Sequence, residues 1–86
     1  MAGGKRLGET PVYAREVGMT QKFVKDGNGN IQYQGFADPG TATSEAKWAI
    51  RKFTYDGAGF NTDIQWAQGT DGFTNVMDNY ASYTYA

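Results

Sequence analysis

The stretch that decides the fold runs from Glu45 to Gly69: EAKWAIRKFTYDGAGFNTDIQWAQG. Lys47–Tyr55 is rich in aromatic and β-branched residues, as is Thr62–Gln68, and Asp56-Gly57-Ala58-Gly59 lies between them. Runs of this type bounded by turn residues read as two strands of a hairpin. One register sets Trp48 opposite Trp66 and Ile50 opposite Ile64. The other side of the first arm holds Ala49, Arg51, Phe53 and Tyr55. Both sides are thus partly apolar, which suits a strand between layers or one covered by a partner.

A second hairpin precedes it: QKFVK, then DGNGN, then IQYQGFA, over Thr20 to Ala37. Asn28-Gly29 is a strong turn signal because both residues tolerate positive φ. Either Phe23 or Val24 faces Tyr33, and a slip between the two exchanges the faces of the strand. The DGNGN run resembles the start of a calcium loop. That template requires Gly at its sixth position and Glu at its twelfth, where this chain has Ile31 and Ala37. The run therefore reads as a turn. The two hairpins form a weak repeat. Lys22-Phe23, Asp26-Gly27-Asn28-Gly29 and Ile31-Gln32-Tyr33 echo Lys52-Phe53, Asp56-Gly57-Ala58-Gly59 and Ile64-Gln65-Trp66.

Outside the hairpins the signals change. Asp38-Pro39-Gly40 is a turn leading into an extended connection. Phe73, Val76, Met77 and Tyr80 recur at i, i+3, i+4 and i+7, which predicts a short helix within Thr70–Tyr80, with Asp71 as its N-cap. Ala81–Ala86 alternates and reads as a last strand. Tyr80, Tyr83 and Tyr85 either form a contact surface or pack on the chain's own sheet. Met1–Gly18 has no period. It is either a tail or an arm lying on a neighbouring subunit, with Leu7, Val12, Tyr13 and Val17 as spaced anchors.

Composition narrows the function. The chain has 86 residues, one of them Leu, and 12 are Gly. A domain of this size buries only about 60–65% of the surface its open chain exposes, so packing partners matter. There is no Cys and no His, which removes disulfides, thiolate ligands and imidazole bases. Formal net charge is −1, without the basic excess usual for duplex binding. No phosphate loop or catalytic constellation can be assembled. The expectation is a non-enzyme with no cofactor, no metal, no nucleic-acid partner and no membrane span.

The fold expected is mainly β: a small antiparallel sandwich or barrel of two hairpins plus a C-terminal strand, with one short helical turn. Residues 1–18 form an extended N-terminal arm and residues 19–86 a single small β domain. Candidate partner contacts are Leu7, Val12, Tyr13, Val17, Tyr80, Tyr83 and Tyr85.

Three runs carry a likeness: Pro39-Gly40-Thr41-Ala42-Thr43-Ser44, then Lys47–Gly57 (KWAIRKFTYDG), then Trp66-Ala67-Gln68-Gly69 with Phe73–Asn79 and the Tyr-rich end. Together they resemble small virion structural proteins of tailed bacteriophages. Met77 and Tyr80 stand where such proteins often have Trp and Arg. The resemblance implies a virion component that assembles in the bacterial host cytoplasm. Its partners would be other copies of itself and other virion proteins, such as the major capsid or tail protein. Capsid decoration is the first reading. A neck, tail or fibre component, or a carbohydrate- or receptor-binding module, is the alternative.

Overall fold

A computed structural model of the chain describes residues 18–86. The candidate anchors Leu7, Val12, Tyr13 and Val17 lie outside the described residues. The strands are β1 (Thr20–Lys25), β2 (Ile31–Ala37), β3 (Ala46–Tyr55), β4 (Asn61–Trp66) and β5 (Asn75–Val76), followed by a 3-10 helix, Met77–Ser82. The architecture is mainly β, as expected. The two hairpins lie side by side in one antiparallel sheet of order β1-β2-β3-β4, with β5 paired to β3. The layer opposing this sheet on one face is the C-terminal segment.

The hairpin loops are built alike. In 26–30 the Asp26 carboxylate accepts hydrogen bonds from the backbone N–H of Asn28 and Asn30, at 2.8 and 3.0 Å. In 56–60 the Asp56 carboxylate accepts from Ala58 and Phe60, at 2.9 and 3.0 Å. Gly29 (φ 84°) and Gly59 (φ 89°) occupy equivalent left-handed positions that most side chains disfavour. Each hairpin also carries a register irregularity just before its loop, at Val24/Lys25 and at Thr54/Tyr55. Lys25 meets Ile31 as Tyr55 meets Asn61. Ile31 is thus the counterpart of Asn61, and Ile64 lies further along its strand. The repeat is real over the Lys-Phe and Asp-Gly-x-Gly positions. It does not extend to the two Ile-Gln-aromatic triplets.

This loop sets the register of the second hairpin and corrects the expected Trp48–Trp66 and Ile50–Ile64 pairs. Trp66 meets Arg51, and Ile64 meets Phe53. The offset from Trp48 to Arg51 is odd, so Trp66 and Trp48 lie on opposite faces. In the first hairpin the second of the two registers holds, with Val24 opposite Tyr33.

Trp48 is fully buried, within a cluster of Ala37, Ile50, Ala67 and Met77. Its indole N–H donates to the Ala42 carbonyl at 2.9 Å. A Cβ on Gly35 would meet the Met77 sulfur and the Trp48 ring, so only glycine lets both lie flat on β2. The expected helix within Thr70–Tyr80 is corrected as well. Asn75 and Val76 pair with Trp48 and Ala46 as β5, and helical turns begin only at Met77. Phe73 packs in the cluster with Phe36 and Ala49, Met77 in the one with Trp48, and the N-cap of the 3-10 helix is Val76 rather than Asp71. Asn75 is buried opposite Trp48 and accepts from the Gln68 side chain at 2.7 Å. The chain end pairs with Trp66–Gln68: Trp66 and Ala86 exchange backbone hydrogen bonds, and Gln68 N–H donates to the Thr84 carbonyl.

If the loops are copies, their caps carry equal weight. Asp26→Ala and Asp56→Ala each remove two hydrogen bonds to backbone N–H. Urea unfolding is expected to show similar losses of about 1–2 kcal/mol for both.

Candidate contact surface

Alternation along the strands divides the sheet into two unlike faces. One is closed by the chain itself. Tyr33 packs there in tilted ring contacts with Tyr80 and Tyr85, with centroids 4.8 and 5.4 Å apart. The Tyr85 hydroxyl donates to the Tyr80 carbonyl at 2.7 Å. The Tyr83 hydroxyl accepts from the Val76 N–H at 2.8 Å. All three C-terminal tyrosines are half-buried and pack against the chain's own sheet. Burial pushes the Tyr85 phenol well above its ordinary value of 10.0, with nearby Tyr33, Tyr83 and Tyr80 adding to the effect.

The other face is organised around a cation. Gln21, Phe23, Gln34, Phe36, Ala49, Arg51, Phe53, Ile64 and Trp66 share it, as the cross-strand pairs require. The Arg51 Nε–H donates to the Gln34 side chain at 2.9 Å, and Gln34 donates in turn to Gln21 at 2.8 Å. The guanidinium carbon lies 5.0, 5.3 and 5.6 Å from the rings of Phe36, Phe53 and Trp66. These distances fall within the range of cation–π attraction, which strengthens as water is excluded. Polar links and ring faces therefore hold the charge in one place. Phe36 and Ala49 are buried beside it, packed by Met19, Trp66 and Phe73. At the margins the face stays open: Phe23 is 49% and Ile64 47% exposed, and Phe60 at the loop tip is 70% exposed.

The sequence pointed to this face only in part. Arg51 and Phe53 were legible as alternating residues of β3. Gln34 and Gln21 were not, because only the register brings them to Arg51. Trp48 is sealed inside, so the two tryptophans do not form a joint platform.

A third feature lies between the hairpin tips. β2 and β3 pair only from Tyr33–Lys52 to Phe36–Ala49, and the tips separate beyond that. The Tyr55 hydroxyl bridges to the Ile31 carbonyl at 2.7 Å. The notch left between them has a volume of about 440 Å³ and a polar lining that includes Asn28, Asn30, Gln32, Lys52 and Asp56. The carboxylates of Asp26 and Asp56 are engaged in their own turns. Among the described residues no three Asp or Glu residues cluster as they would around a metal ion, and no helix is long and apolar enough to cross a membrane.

Comparison with protein-family models, with curated proteins and with solved structures returned no match to this chain.

Tyr85 makes stability depend on alkaline pH. The folded protein holds this proton more tightly than the unfolded chain does. Stability is therefore full below about pH 10 and falls as pH rises beyond it. Urea midpoints at about pH 8 and about pH 11 should show a smaller alkaline loss for Tyr85→Phe than for the parent. An equal loss in both proteins would place the dependence on other groups.

Proposed function

We propose that this protein is a structural subunit of a tailed-phage particle, most simply a capsid decoration protein, that acts through protein–protein contact. The observation that carries this reading is the exposed apolar side chains Ile64 and Phe60 at the β4 edge and its loop, with Phe23 exposed on the same face at the opposite, β1 edge. Large exposed apolar groups concentrated on one side of a small domain mark an interaction surface. The phage-like sequence pattern supplies the kind of partner. Docking on a shell or tube would cover the face and add stability that a domain of this size gains poorly alone.

The polar notch favours a second reading, a receptor- or carbohydrate-binding module. Its amides, Lys52 and the Asp56 loop offer donors and acceptors for hydroxyl groups. Binding to a glycan array that is lost on Asn30→Ala, with the fold intact, would support it.

The first reading is tested by co-sedimentation of the full chain with purified heads and tails of the phage that encodes it. Saturable binding to heads is expected, weakened at least about tenfold by Phe60→Ser with Ile64→Ser, since each buried aromatic or branched side chain is worth about 1.5–3 kcal/mol. Retention on tails in place of heads would move the subunit to the neck or tail. A folded protein that binds neither would contradict a virion role.

A further inference from the structure

The two edges of the sheet differ in what their backbone offers. Hydrogen-bonded and non-bonded pairs alternate along an antiparallel ladder. The Ala67 N–H donates to the Ile50 carbonyl at 2.9 Å, so Ile50, Lys52 and Thr54 bond to β4. Arg51 and Ala49 then bond to Gln34 and Phe36 on β2. Tyr33, Gly35 and Ala37 in turn bond to Val24, Lys22 and Thr20 on β1. The Asp26 N–H donates inward to the Asn30 carbonyl, in phase with this count. Gln21, Phe23 and Lys25 therefore point their N–H and C=O groups away from the sheet. β1 ends the strand order, and no strand among the described residues lies beside it.

By the same count Thr62, Ile64 and Trp66 face outward on β4. That edge is largely taken. Trp66 exchanges both of its outward bonds with Ala86. Thr62 is the extra residue of an irregularity, because Asp63 meets Thr54 and Asn61 meets Tyr55. Bulges and covering segments both discourage strand addition. In the first hairpin the extra residue is Gln32, on the inner strand β2, so β1 stays regular. One usable edge per chain builds a closed two-fold pair and not a fibre.

The register of such a pair is narrow. A two-fold axis through Phe23 sets Phe23 opposite Phe23 of the second copy, and Gln21 opposite Lys25 on either side. All three outward residues then find partners. A slip of two residues either sets Lys22 against its own counterpart or leaves Gln21 beyond the end of the strand. Lysines on an edge commonly oppose pairing. In the centred register Lys22 instead meets Val24 of the second copy. Val24 borders a groove of about 270 Å³ whose walls include Thr43, Asp78 and Tyr80. Asp78 is exposed there and offers the incoming lysine an opposite charge. Phe23, 49% exposed in the single chain, gains an aromatic cross-strand contact.

We propose that two copies of this chain pair antiparallel through β1, joining their sheets into one continuous sheet with Phe23 on the two-fold axis and Lys22 of each copy beside Asp78 of the other. The axis is perpendicular to the sheet, so the open faces of both copies stay on the same side. Ile64 and Phe60 remain exposed at the far edges. The inference does not rest on the particle assignment.

The test uses the full chain, which has no cysteine of its own. A hydrogen-bonded antiparallel pair holds its Cα atoms about 5.5 Å apart, within reach of a disulfide. Phe23→Cys should form a disulfide-linked dimer under mild oxidation at least about tenfold faster than Ile64→Cys, a site equally exposed in the single chain. Amide exchange followed by NMR needs no substitution. In the parent protein at about 1 mM the outward N–H groups of Gln21, Phe23 and Lys25 should exchange at least about tenfold more slowly than that of Ile64, after correction for sequence. Equal cross-linking at the two positions, or none at Phe23→Cys, overturns the proposal. Exchange at Gln21, Phe23 and Lys25 as fast as at Ile64 overturns it as well.

Discussion

Everything on the closed face of the sheet depends on one contact: Trp48 and Met77 lying against a bare stretch of β2 at Gly35. The indole is the largest fully buried side chain. It has room because Gly35 has no Cβ. Its N–H is satisfied by Ala42, which ties the connection before β3 to the core. Met77 completes the contact and anchors the first turn of the 3-10 helix. From that anchor the chain returns along Tyr80, Tyr83 and Tyr85 to pair with Trp66–Gln68. The core of this face is thus Trp48, Ile50, Met77, Ala37 and Ala67, with Val24 and a row of half-buried tyrosines packed against it.

The same sheet keeps its two faces chemically apart. Cross-strand register assigns each residue to a face, and the two Asp-gated loops set that register. On one face the tyrosine hydroxyls reach backbone groups, and the layer is closed. On the other, Arg51 holds a positive charge among three rings, and large apolar groups remain at the margin. The C-terminal segment covers one face; on the other, Gln34, Phe36 and Ala49 are buried at the centre and Phe23, Ile64 and Phe60 are exposed at the edges.

Hairpins, turns and strand content were legible because their signals are local: alternation, Asn28-Gly29, and the paired Asp-Gly-x-Gly loops. Register was not, because three residues of sliding preserve nearly the same apolar pattern while moving Trp66 to the other face. The deciding term is the Asp56 carboxylate closing a loop of set length, a detail visible only once the hydrogen bonds are known. The helix expected from Phe73, Val76, Met77 and Tyr80 failed for a tertiary reason. Asn75 takes a buried place opposite Trp48, so the backbone stays extended there, and local periodicity yields to a long-range pair. Gln68, with its left-handed φ of 57°, gave no sequence signal, yet its side chain bonds the buried Asn75.

Gly35 is the residue that permits the closed face, and a coupling measurement addresses this directly. Urea unfolding would be followed for Gly35→Ala, for Met77→Ala and for the double variant. Overpacking at Gly35 is expected to cost about 1–3 kcal/mol in the parent. Removing the Met77 side chain frees the space that the new methyl group needs, so less than about half of that penalty should remain in the Met77→Ala background. Additive penalties, or a Gly35→Ala protein as stable as the parent, would contradict the interlock on which this description of the fold rests.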